Sequence, residues 1–555
     1  MGKPSEWLFH IWQVPSSDNR VLKQLSYIGR RSLPGLFLAY ALLAQNSTLP
    51  KDKHAPPVAN PAKTPSPPAD PDKDLVPALQ QFISIFSAVE AQSADEQTVD
   101  KLIYQGAIPS MLRELDPHTQ FFDPGQFEQL RQMEDSEQKG FGSIVSVLPG
   151  QVIFLQTLPG TPSNRAGIQA GDELVAVNNI AIRSLEPEQI IQLLTEARQQ
   201  KIAVFVRRQG SAKLLQFSLT PELVDAPSVD RAFLLQPGLG YIRIASWDLQ
   251  TAKQLHDAIE KLGPSRLQGL VLDLRNNPGG VVKAALDGAS MFLQPGQRIL
   301  TARGRATEIE TADVPKTAKP YGFKLAVLIN EKTASASEIL SGALQDHDRA
   351  VVVGLPSYGK GLVQSVLPLS DGAGLAITTA FYYTPSGRSI QRPLRDSALS
   401  ETFSDKPSPE RPTYKTDSGR AVTGGGGIQP DIRVYPAALD RLEAVLDGSG
   451  AVTAFATQYL SRHSALAASF QVTPDILDDF KVFLAGRAIQ PGVAEWGQDR
   501  AWISTHLKEE IITQARGVDK GDEVQAQSDP QIQAAVKALR ETTLAARQGA
   551  NTDLR

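Results

Sequence analysis

At 555 residues the chain is too long for one hydrophobic core and predicts roughly three or four domains. Its 41% hydrophobic and 21% charged residues are ordinary for a soluble globular protein, and a net charge of −4 argues against the basic face a nucleic-acid binder needs. Cysteine is absent, and five of the seven histidines (His118, His256, His347, His463 and His506) never pair at metal-ligand spacing, so thiol catalysis, disulfide frameworks and metalloprotease chemistry drop out together.

Residues 33–44, LPGLFLAYALLA, form an uncharged apolar run preceded by Arg30 and Arg31 and ended by small residues. That order predicts a secretory signal, or an uncleaved anchor, within residues 1–44. Residues 45–75, rich in Pro, Ala, Lys and Asp, bury too little apolar surface to offset their ordering entropy and predict a flexible tether.

Residues 76–136 read as helical, with Leu79, Phe82, Ile83 and Phe86 on one face and Leu102, Ile108, Met111 and Leu112 on another. LDPHT at 115–119 interrupts the pattern, because Pro117 disfavours helix at Asp116. Asp116 and His118 have the composition of a catalytic pair, but the reading adopted is a turn capped by Asp116.

Residues 137–224 predict a small β-rich module, with strands near 141–147, 152–155, 172–177 and 202–207 and a helix at 188–198. AGIQAGDELVAVNN at 166–179 resembles the signature of a PDZ domain. Such modules take up an extended peptide by strand addition and hold its terminal carboxylate in backbone amides. By that resemblance the binding loop is Gly140, Phe141, Gly142, Ser143 and Ile144.

Residues 225–435 alternate strands (241–245, 269–274, 324–330, 350–353) with helices (251–262, 281–293, 335–346), which predicts an α/β core with parallel crossovers. Functional groups of such sheets lie at the carboxyl ends of the strands. Two loops meet that condition, DLRNNPGG at 273–280 and TASAS at 333–337. Ser335-Ala-Ser-Glu338 has the form of a helix capping box, so Ser335 is read both as a plain N-cap and as a nucleophile beside free helix N–H groups. Gly279, Gly280 and Ala336 can offer amides to an oxyanion. Lys360, between two glycines, becomes a base only if burial lowers its pKa. If 360–364 runs extended, Gln364 shares its face.

DLRNNPGG, TASASEI, QDHDRAVVVG, YGKGLVQ and YYTPSGRSIQ resemble, in order and spacing, the blocks of the C-terminal processing peptidases, over about residues 76–435. The resemblance implies a serine endopeptidase that recognises the C-terminal tails of protein or peptide substrates. Ser335 is then the nucleophile, Lys360 the general base, Gln364 its orienting partner and Asp346 a structural support. It implies no metal and no other cofactor. The expected fold class is multidomain α/β: a helical N-terminal region, an inserted PDZ-like module, the protease core and a helical region at 436–555. That last region is read equally as a cap on the core or as a surface for a homo-oligomer or regulatory adaptor. The chain departs from the family in a polar insertion at about 392–424. A periplasmic or other extracytoplasmic location is expected, with membrane contact only through an uncleaved anchor. The rival reading is a non-catalytic peptide-binding scaffold built on a degenerate core.

Overall fold

A computed structural model describes residues 72–128, 138–224, 227–305, 309–392, 411–463 and 466–541. The expected signal segment, most of the tether and residues 393–410 of the polar insertion lie outside the described residues. Among the described residues no helix is long and apolar enough to cross a membrane.

The α/β core is a six-stranded sheet ordered Val229–Gln236, Leu239–Ile244, Gly269–Asp273, Lys324–Ile329, Ala350–Gly354, Ile432–Arg433. The first two strands pair antiparallel and the rest parallel. Alternation along the strands sorts side chains onto two faces. Leu270, Leu272, Leu325, Val327, Ala350 and Val352 pack under the helices Thr251–Leu262, Val282–Ser290 and Ala336–Asp346. Val271, Ala326, Leu328, Val351 and Val353 face the other way, against Ile532, Ala535, Val536 and Leu539 of the helix Pro530–Arg540. The helix Pro530–Arg540 is therefore part of the second covering layer of the sheet, as parallel strands buried on both faces require.

Several elements went unread in the sequence. The antiparallel strand Val229–Gln236 is one. Another is a five-stranded sheet built from Gln120–Phe122, Arg298–Arg303, Glu310–Asp313, Leu362–Pro368 and Gly374–Tyr383. Gln120–Phe122 lies in the stretch expected to be helical; it pairs with Gly374–Ala376 because Phe122, with Phe127 and Ala376, forms a small core of its own. The preceding lead-in is helical (Asp72–Gln92, Asp100–Ala107, Ile108–Arg113), but Leu79, Phe82 and Ile83 on its first helix stay exposed.

The module after Gly140 is a six-stranded antiparallel sheet with the helix Pro187–Ala197, closed over Val152, Leu174, Ile190, Val204 and Val206. Ser143–Leu148 is an edge strand of this sheet. Gln156 of the module accepts the Val518 N–H at 2.9 Å, which fastens it to the C-terminal helices. Part of the polar insertion is a hairpin, Thr413–Lys415 with Ala421–Thr423.

Candidate active site

Ser335 stands where the parallel strand Lys324–Ile329 hands over to the helix Ala336–Asp346. Its backbone sits at φ 54°, ψ −117°, a region an L-residue enters only when its surroundings impose it, at a cost of roughly 1–3 kcal/mol. Those surroundings are explicit. Thr333 Oγ1 donates to the Leu274 carbonyl at 2.8 Å, and the Ala334 N–H donates to the Asn277 carbonyl at 3.0 Å. On the other side the Tyr358 N–H donates to the Thr333 carbonyl at 2.9 Å. Residues 333–335 are thus clasped between the loops that follow the two neighbouring parallel strands.

The 277–280 loop approaches Ser335 closely. A Cβ on Gly279 would stand 2.8 Å from the Ser335 Cβ and 3.1 Å from the Ala336 nitrogen; one on Gly280 would stand 1.9 Å from the Trp247 carbonyl oxygen. Both glycines also hold positive φ, 103° and 139°, so only glycine fits either position without strain. The Gly279 N–H, expected to face a substrate, donates here to Asn277 Oδ1 at 2.9 Å. Within the described residues no hydrogen bond engages the amides of Gly280 and Ala336. Asn277, fully buried, holds the loop by donating from Nδ2 to the Ile244 carbonyl at 2.8 Å.

Lys360 is 6% exposed, and burial pulls its pKa down to about 8, against the opposing pull of the Glu338 and Asp116 charges. It precedes the strand Leu362–Pro368 instead of lying in it, yet its Nζ donates to Gln364 Oε1 at 3.2 Å. Gln364 Nε2 donates to the His118 carbonyl at 2.8 Å, which fixes the amide so that its oxygen meets the amine. The LDPHT turn makes that carbonyl available. Asp116 Oδ1 accepts the N–H groups of His118 and Thr119 at 2.7 and 2.8 Å, and Oδ2 accepts the Thr119 hydroxyl at 2.6 Å. Asp116 is a turn residue, as read, but the turn belongs to the site.

Glu338 was read only as half of a capping box. Its carboxylate is fully buried and collects four donors: the Ser335 N–H at 2.8 Å, the Gly359 N–H at 2.7 Å, the Lys360 N–H at 2.9 Å and the Ser357 hydroxyl. One carboxylate therefore ties the serine turn to the lysine loop. The signal S-x-x-E was visible in the sequence; the donors more than 18 positions away were not.

Asp346, at the far end of the helix begun by Ala336, bonds to neither Ser335 nor Lys360. It accepts the Thr384 hydroxyl and the Ser386 N–H, and pairs with the fully buried Arg388 at 2.8 Å. Gly140–Ile144 lie in the separate module. There the carbonyls of Phe141 and Gly142 accept the Ser163 and Leu158 N–H groups at 2.9 and 2.8 Å, leading into the edge strand.

A largely parallel sheet carrying a strained serine at one strand end, a buried lysine whose backbone N–H shares the Glu338 carboxylate with that of the serine, and a PDZ-type module ahead of both defines a class, the peptidases with an inserted peptide-binding domain. Among the described residues the Lys360 amine bonds to Gln364 and not to the Ser335 hydroxyl. The profile of Peptidase family S41 matches residues 238–395, and that of the PDZ domain matches residues 154–208. The carboxy-terminal-processing protease of Bartonella bacilliformis is 32% identical over 317 residues, covering 56% of this chain and 72% of that protein. The carboxyl-terminal-processing protease of Synechocystis is 35% identical over 294 residues, covering 52% of this chain and 68% of that protein. Among solved structures, the photosystem II D1 C-terminal processing protease is similar at a TM-score of 0.37 and 27% identity, over 65% of this chain and 93% of that one. The chain belongs to the carboxyl-terminal processing proteases of peptidase family S41.

Proposed function

We propose that this chain is an exported serine endopeptidase that cuts protein substrates engaged through their C-terminal tails. Ser335 is the nucleophile and Lys360 its general base. The neutral Lys360 amine takes the Ser335 hydroxyl proton as Oγ attacks the scissile carbonyl. The oxyanion is received by the Gly280 and Ala336 amides at the start of a helix, where the dipole favours negative charge. The resulting ammonium gives its proton to the departing amine, leaving an ester on Ser335. Water then enters and loses a proton to the same lysine as it attacks the ester carbonyl. The acyl–Oγ bond breaks as the ammonium returns that proton to Ser335 Oγ, which frees the acid and restores both residues. Gln364 keeps the amine aimed without adding a charge that would hold the proton.

The observation that carries this reading is the Glu338 bridge: one buried carboxylate binds the amides of both Ser335 and Lys360, so the two reach the site as one rigid unit. The edge strand Ser143–Leu148, lying beside the helix Pro187–Ala197, supports tail binding by strand addition. The charged, apolar and small-residue order of residues 1–44 supports export. Acid quenching of the full chain during turnover of an unfolded tail-bearing reporter, followed by peptide mapping, tests the chemistry. Mass added as an ester on Ser335 is the expected result; an acyl group on another residue refutes the assignment.

A further inference from the structure

Away from the protease site, three carboxylates converge among the C-terminal helices. Asp440 caps the helix Arg441–Gly448, and its Oδ1 accepts the Glu443 N–H at 3.0 Å while Glu443 Oε2 accepts the Asp440 N–H at 3.1 Å. Asp499 occupies the joint between the helices Val493–Gln498 and Arg500–Arg516. Each of the three offers an oxygen within 4.8 Å of the others.

The capping box accounts for one oxygen of Asp440 and one of Glu443, and for nothing of Asp499. That residue is 4% exposed, and its Oδ2 is buried with no hydrogen-bond donor among the described residues. A buried carboxylate oxygen without a donor costs about 1–3 kcal/mol or more unless something neutralises it. The nearby cation does not. Arg441 spends its guanidinium on Glu495, in a two-bond pair at 2.6 Å each. A fourth carboxylate is thereby answered; Arg441 reaches Asp440 only through space and makes no hydrogen bond to any of the three among the described residues.

We propose that Asp440, Glu443 and Asp499 form a binding site for a hard divalent cation of calcium size, which staples the helix Arg441–Gly448 to the Val493–Arg516 segment. The spacing fits. Oxygens bound to one calcium lie about 2.3–2.6 Å from it, so they span at most about 5 Å from each other. Magnesium's shorter bonds and strict octahedron suit the same set less well. Asp440 is exposed and Glu443 half-buried, which leaves an open side for entry and for the waters that complete the shell. Cysteine and histidine play no part, so the site is independent of the ligand classes that the composition excluded.

The test uses terbium as a luminescent calcium substitute on the full chain, excited through tryptophan. Trp496 and Trp502 each lie three positions from Asp499. Saturable sensitised emission, displaced by calcium and much less by magnesium at equal ionic strength, is expected from the wild type. Asp499→Asn should weaken terbium binding by at least about tenfold, the scale set by losing ligand support at metal sites. Absence of saturable emission, or equal binding by wild type and Asp499→Asn, overturns the site and leaves a shared proton as the neutraliser. If Asp499→Asn does not fold by circular dichroism, Glu443→Gln decides: weakened binding supports the site, and unchanged binding overturns it.

Discussion

Glu338 and Lys360 meet through the main chain and not through an ion pair. Glu338 Oε2 accepts the Lys360 N–H at 2.9 Å, while the Lys360 amine turns away to Gln364 Oε1 at 3.2 Å. The carboxylate thus fixes where the lysine stands while its charge is shared among four donors. Burial still wins on both groups, raising the Glu338 pKa and lowering that of Lys360. Glu338→Ala would strand three backbone N–H groups and a hydroxyl, each at roughly 1–3 kcal/mol. Glu338→Gln keeps the shape but replaces one acceptor by a donor facing a donor. We expect Glu338→Gln to fold, to keep KM, and to lose kcat by about 10²-fold, the scale of a misplaced catalytic group. Unchanged kcat in a steady-state assay would remove Glu338 from the machinery.

As the proposed general base Lys360 has to be neutral, so kcat/KM should rise with pH through about 8, where burial places its folded pKa. Replacing Gln364 by glutamate puts a negative charge beside the amine and favours its protonated form. The rising limb of the Gln364→Glu profile should then move to higher pH by about 1–3 units. A limb that stays in place would mean that Gln364 does not address Lys360.

The same burial makes the lysine a burden on the fold. Its pKa is lowered from 10.5 to about 8, so between those values the unfolded chain holds a proton that the folded chain has released. Wild-type stability therefore climbs with pH across that window, and the penalty is fully present below it. At about 1.4 kcal/mol per unit the penalty is on the order of 3 kcal/mol, offset by about 1 for the lost bond to Gln364. Lys360→Met should be inactive and more stable than wild type at pH 7, with the gain vanishing above about pH 10.5. Chemical denaturation at pH 7 and pH 10.5 reads both values, and a destabilised methionine variant would contradict the account.

Much of this was legible in the chain. The unbroken apolar run Leu270–Val271–Leu272 reported a buried strand, as the sheet bears out, and the spacing of Ser335, Lys360 and Gln364 is what suggested the proposed dyad. What escaped was non-local. Nothing near Asn277 says that its side chain takes the Gly279 N–H, and LDPHT does not announce that its His118 carbonyl orients a glutamine 246 positions later. The strand Gln120–Phe122 is too short to show a period and exists because Gly374–Ala376 offers it an edge.

Arg275 ties the C-terminal region to the loop that leads to the site. Arg275, two positions after the strand Gly269–Asp273, holds Asp273 at 2.6 Å and Asp529 and Gln531 at 2.8 Å each. Arg275→Ala leaves Asp273, 1% exposed, without its cation, a loss of about 3–5 kcal/mol by the usual cost of breaking a buried pair. Urea unfolding should show it together with reduced activity, since the same loop leads to Gly279 and Gly280. Retained stability would mean that the helix Pro530–Arg540 is held without Arg275, by its apolar face and its bonds to Lys324 and Val434.

The central claim, that Ser335 and Lys360 work as one catalytic unit, is met most directly by a single comparison. An unfolded reporter with an apolar C-terminal tail is incubated with wild type, Ser335→Ala and Lys360→Ala, and cleavage is followed by mass spectrometry. Product from the wild type alone is expected. Equal cleavage by all three, or full activity in Lys360→Ala, would contradict it.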